Sequence, residues 1–195
     1  MSCDEIRLAA AGGVIGLVGA LGTQSLCQAA ASPGVAHAYG AAVVRAPACR
    51  PQQLRLAVGP PVAERTQQET VVLAVGNSSA RRCELDGYPV VSLAAAHGPA
   101  LPFRYRDHGD QMLTSARPYP VVLVPGGRAY FGVNKDTCAG RSSATAGYLA
   151  MFPLGQLRHS LPRYPVLGYC GTGDPGHVVD ISPVEPTALA VLAKD

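Results

Sequence analysis

Residues 119–133 read YPVVLVPGGRAYFGV, and their pattern decides the fold. The run Tyr119–Val124 is apolar and rich in valine, and it stops at Pro125-Gly126-Gly127, a strong turn signal. Arg128–Val133 then alternates: Ala129, Phe131 and Val133 fall on one face, Arg128, Tyr130 and Gly132 on the other. A period of two is the side-chain period of an extended strand. The same signal recurs on both sides of this stretch. Gln53–Val58 alternates and stops at Gly59-Pro60-Pro61. Glu69–Val75 ends at Gly76-Asn77, and Pro89–Leu93 follows a turn at Asp86-Gly87. Gly147–Phe152 and Val178–Ile181 complete the predicted strands.

The chain holds 22 Gly and 17 Pro, which leave little room for long helices. Short helices are expected in the tail, Pro186–Lys194, where Pro186 suits a first turn, and at Leu154–Leu161. Phe103–Pro118 has no strand period and reads as a long surface loop. Short strands with no repeat and no βαβ rhythm predict an all-β fold, a single antiparallel β-sandwich of the immunoglobulin-like, Greek-key kind.

The 195 residues are 48% hydrophobic, enough for one core. The formal net charge is +3; the longest basic run is Arg81-Arg82, and the only lysines are Lys135 and Lys194. Nucleic-acid binding calls for a basic stripe, with interleaved aromatics where single strands are held. Neither is present, so no nucleic-acid partner is expected.

Leu8–Val44 carries no Asp, Glu, Lys or Arg. Its apolar run, Leu8–Gly22, is shorter than the roughly 20 apolar residues a bilayer requires. Thr23, Gln24 and Ser25 follow, then small residues, in the order of a secretory signal peptide. Small-x-small sites lie at Ala29-Ala30-Ala31 and at Ala36-His37-Ala38; the second is preferred. Asp4 and Glu5 depart from the usual basic start, which leaves an uncleaved anchor open. Cys27 lacks the small preceding residue that lipid attachment needs, because Leu26 stands there. The expected organisation is a signal peptide at 1–38, a leader at 39–48, the sandwich at 49–184 and a tail at 185–195. The expected location is secreted or in the cell envelope, with no stable transmembrane span in the mature form.

Cys3 and Cys27 fall in the signal segment, leaving Cys49, Cys83, Cys138 and Cys170. An even number of cysteines in an exported chain reads as two disulfides. Spacing alone leaves all three connectivities open. Zinc would call for close pairs such as C-x-x-C, which are missing.

Val72–Asn77, then Cys83-Glu84-Leu85-Asp86-Gly87-Tyr88-Pro89 through Leu93, then Gly98, resemble the middle of a secreted actinobacterial family, domain of unknown function 4232. The early Cys49 before Leu54-Arg55-Leu56 is similar too, as are the hairpin-like segment Leu123–Phe131, Cys138, and Cys170 before a final strand. The resemblance covers about residues 49–184. It implies export, a β-sandwich and envelope residence, and it implies no enzymatic activity. Together with the strand order it gives the pairing Cys49–Cys83 and Cys138–Cys170, with each bridge stapling one half of the sandwich.

No G-x-S-x-G elbow occurs, and no catalytic residue is assigned. Asp107-His108-Gly109-Asp110-Gln111-Met112, with His97 upstream, gathers metal-ligand types of mixed hardness. The same residues make an ordinary polar loop, and no metal ligand or cofactor is assigned. Tyr88-Pro89, Tyr119-Pro120 and Tyr164-Pro165 suit either a stacking platform or braces for turns, and bracing is expected. Asn77-Ser78-Ser79 has the form of a glycosylation sequon but is read as turn residues. The expected function is a non-catalytic binding module whose partner is an envelope protein or glycan. The alternative is an extracytoplasmic metal-handling protein or small hydrolase using the 97–112 region.

Overall fold

The structure, a computed structural model, describes residues 45–63, 65–95, 99–140, 144–152, 155–157 and 167–193. The expected signal peptide, Cys3, Cys27, His97, Tyr164 and Lys194 lie outside them. Along the chain run β1 (Leu54–Val58), β2 (Gln68–Asn77), β3 (Cys83–Leu85), β4 (Val90–Ala95), β5 (Arg104–Arg106) and β6 (Val121–Leu123). They are followed by β7 (Arg128–Asp136), β8 (Ala144–Phe152), β9 (Gly155–Leu157), β10 (Leu167–Tyr169), β11 (Val178–Ile181) and α1 (Ala188–Val191). No helix among the described residues is long and apolar enough to cross a membrane.

The strands form a five-stranded sheet in the order β1-β2-β7-β11-β5, a four-stranded sheet built on β10-β8-β4 with β9 also on β8, and the pair β3-β6. The long antiparallel pairing of β2 with β7 sets the register, from Gln68 opposite Asp136 to Gly76 opposite Arg128. Val71, Leu73 and Val75 thereby face the core beside Val133, Phe131 and Ala129. All three sheets contribute to this one cluster. Val91, Leu93 and Leu167 come from the four-stranded sheet, and Cys83, Leu85, Val121 and Leu123 from the pair β3-β6. The β-sandwich and the one-sided alternation of Arg128–Val133 are therefore as expected.

Several local expectations are corrected. The sheet is mixed, because β5 runs parallel to β11 inside the segment read as a loop. Tyr105 of β5 packs on the core while Arg106 pairs with Asp180 on the outer face. Three residues flanked by arginines are too short to reveal a period. The Leu123–Phe131 segment is not a hairpin: β6 pairs with β3, and β7 pairs with β2 and β11. The Pro125-Gly126 turn carries the chain from one sheet to another, with Gly126 at φ 74°. Residues 155–157, where a helix was expected, pair with β8 instead. The tail helix is one turn, capped by Thr187, whose Oγ1 accepts from Ala190 N–H. It stops because Leu192 bridges to Leu113 and Ala193 N–H donates to the Met112 carbonyl.

The disulfides are Cys49–Cys83 and Cys138–Cys170, with Cα–Cα distances of 4.7 and 5.2 Å. The pairing is as expected, but the stapling differs. Cys83 opens β3, and Cys170 follows β10 of the four-stranded sheet while Cys138 follows β7 of the five-stranded one. The second bridge thus joins two sheets, and the first ties the segment ahead of β1 to β3, rather than each reinforcing one half.

Tyr105 Oη accepts a hydrogen bond from Leu93 N–H, and burial raises its phenol above the ordinary tyrosine value. A raised folded value contributes stability below the unfolded pKa, and that contribution is lost as pH rises through the folded one. Stability should therefore fall in the alkaline range above about pH 10, the ordinary tyrosine value. Phenolate absorbance should show Tyr105 titrating after the exposed tyrosines; Tyr105 titrating among them would contradict this.

Candidate functional site

Alternation continues past Val133 and sorts the outer face of the five-stranded sheet into a polar half and an apolar half. Thr70 and Asn134, Gln68 and Asp136, and Asp180 share the polar half by register. Thr70 Oγ1 donates to Asn134 Oδ1 at 2.6 Å, and Asn134 Nδ2 donates to Gln68 Oε1 at 2.7 Å and to Asp110 Oδ2 at 2.6 Å. Arg106 holds Asp180 through two bonds, Nε to Oδ1 at 2.7 Å and Nη2 to Oδ2 at 2.5 Å. Asp110 Oδ1 accepts from the N–H groups of Met112 and Leu113 at 2.8 and 2.9 Å. Asp110 thus ties its loop to the sheet. His108 and Asp107 are exposed beside it. Among the described residues no three His, Cys, Asp or Glu side chains converge as a metal site.

That loop covers the apolar half. Met112 and Leu113 pack with Val72 of β2 and Val191 of α1, with Val62, Tyr130, Ala188 and Leu192 around them. Two glycines make room. A methyl group on Gly132 would lie 2.3 Å from Leu113 Cδ2, and one on Gly109 would lie 2.1 Å from the Thr114 carbonyl oxygen. Contacts below 3 Å force a shift, and at Gly109 the obstacle is backbone.

Between this loop, the turn before β2 and α1 lies an open groove of about 570 Å3. Val62, Ala63, Met112, Leu189 and Leu192 give it apolar walls, with Arg65, Gln111 and Thr187 among the lining. Leu189 is 79% exposed. Sequence reasoning missed this groove, because its walls come from residues 62–65, 111–112 and 187–193 and no local pattern joins them.

On the inner face the same alternation carries Lys135 and Glu69 to the end of the core. Lys135 Nζ is fully buried, 3.0 Å from Glu69 Oε2 and 2.6 Å from the Asp136 carbonyl oxygen. Glu69 Oε2 also accepts from Gly168 N–H. Extending the Ala129-Phe131-Val133 series by one step would have found Lys135.

Two of the remaining sequence candidates make structural contacts. Tyr119 Oη donates to Glu185 Oε2 at 2.9 Å, which makes it a brace. Asn77 is buried; its Nδ2 donates to the carbonyls of Arg81 and Leu123 and its Oδ1 accepts from Ser79, so it organises the turn after β2.

No curated protein and no solved structure matches the chain. Residues 49–185, which hold both disulfides and every strand described above, match the family model "Domain of unknown function (DUF4232)", and the chain belongs to that family.

Proposed function

We propose that the domain is an exported, non-catalytic interaction module of the cell envelope, and that it seats a segment of another envelope protein in the groove beside α1. One observation carries the reading. The groove is an apolar concavity within the size range of ligand sites, whereas the nearby carboxylate of Asp110 is engaged in holding one wall in place. Leu189 offers an exposed apolar anchor at its edge. Of the two partner classes, protein and glycan, the lining favours protein: among the described residues it has apolar side chains but neither an aromatic ring nor a carboxylate for sugar hydroxyls. Export is supported by the uncharged Leu8–Val44 stretch and by two bonded cysteine pairs.

Panning a phage library of random dodecapeptides on the oxidised full chain tests this. Apolar peptides should be enriched and should bind Leu189→Asp at least about tenfold more weakly, a loss of about 1.4 kcal/mol. No enrichment, or peptides that bind the variant equally, would overturn the assignment.

A further inference from the structure

The two disulfides sit in different surroundings. Cys49 and Cys83 are 2% and 0% exposed. Cys138 and Cys170 are both half-buried. The two sulfurs of the second bridge also differ from each other. A methyl group on Gly176 would lie 2.5 Å from Cys170 Sγ and 3.2 Å from Lys135 Nζ. Sulfur and ammonium are therefore within about 6 Å, and the turn at Pro175–His177 covers the Cys170 side. Among the described residues the charged groups around this point include Glu69, at 3.0 Å from Nζ, and Asp174, which accepts from the N–H groups of Ala139 and Gly176.

We propose that Cys138–Cys170 is a reducible tether between the two main sheets, with Cys138 the sulfur attacked and Cys170 the leaving group stabilised by Lys135. Burial protects Cys49–Cys83 from an incoming thiolate, because exchange demands access to sulfur. At the second bridge the covered Cys170 Sγ directs attack to Cys138. The leaving sulfur carries negative charge, and a nearby cation makes a thiolate a better leaving group. The ammonium of Lys135, balanced by Glu69 in the oxidised state, then stands between two anions.

The reductant is an external dithiol. Its thiolate forms a bond to Cys138 Sγ as the Cys138–Cys170 bond breaks, and the electron pair leaves on Cys170 Sγ. Its second thiol then displaces Cys138 and closes the reductant's own disulfide. Two protons pass from the dithiol to the two cysteines, so the protein is reduced by two electrons and the dithiol oxidised by two. Opening leaves β10 joined through its pairing with β8, the bond from Gly168 N–H to Glu69, the ring contacts of Tyr169 with Phe103 and His177, and Leu167 in the core.

The test uses the oxidised full chain under native conditions. After graded dithiothreitol, iodoacetamide and peptide mapping, Cys138 and Cys170 should be alkylated at least about tenfold faster than Cys49 and Cys83. With limiting reduced glutathione, the mixed disulfide should be found on Cys138. Lys135→Met should slow the opening by about tenfold. Should that variant not fold, the position of glutathione on the wild-type chain still decides. Both bridges opening together, or glutathione on Cys170, would overturn the proposal.

Discussion

Replacing Cys49 and Cys83 together by alanine is expected to lower the unfolding free energy by about 4 kcal/mol, the unfolded-chain entropy released when a loop of this length is opened. The sequence separation is 34 residues. The bridge also holds more than a loop. Cys49 N–H donates to the Glu84 carbonyl, Glu84 N–H donates to the Pro47 carbonyl, and Ala48 bridges in parallel to Glu84. Residues 47–49 thus lie alongside β3, and both cysteines belong to the main cluster. Urea unfolding of the oxidised wild type and of the double variant gives the difference directly. A loss under 1 kcal/mol would mean that the packing around these cysteines, rather than the bond, fixes the start of the domain.

Asp110→Ala is the second large expected effect, at about 3 kcal/mol, since bonds to a charged acceptor contribute more than neutral ones and a buried amide loses a partner. Three donors lose their acceptor: Met112 N–H, Leu113 N–H and Asn134 Nδ2. Asn134 is 1% exposed. The loop that carries Met112 and Leu113 should loosen, and with it one wall of the groove. Hydrogen exchange at residues 110–114 should rise more than at residues 71–75 of β2. Asp110→Asn should recover only part of the loss, because its amide turns a donor toward another donor. If the alanine variant proved as stable as the wild type with unchanged exchange, Asp110 would not be what holds this loop to the sheet.

The sequence was legible where alternation ran long enough to be counted. Ala129-Phe131-Val133 and Leu54-Arg55-Leu56 gave the inner face of the five-stranded sheet, because one-sided burial imprints a period of two. The cysteine pairing needed strand order and the family resemblance together. β5 was illegible since its only inward residue is Tyr105, between two arginines, of which Arg106 pairs with Asp180 far along the chain. The turn at Pro125-Gly126 was recognised, but turn chemistry is local and does not say that β6 and β7 enter different sheets. Asp110 was picked out for its chemistry and read as part of an ordinary polar loop; its tie to the sheet was not legible, because its three donors are set by tertiary packing. The groove left no local signal, its walls being separated by up to some 130 positions.

The two bridges also set how the domain would carry mechanical load. β1 is an edge strand, paired antiparallel to β2. A pull on the chain ahead of it would, without a crosslink, peel β1 away one hydrogen bond at a time. The bond at Cys49 diverts that tension into β3 before it reaches β1. The loops closed by the two bridges, with separations of 34 and 32 residues, add no contour length while the sulfurs stay joined. A domain tethered through its N-terminal side would therefore stretch little under traction, and cutting the second crosslink would lengthen it in one discrete step.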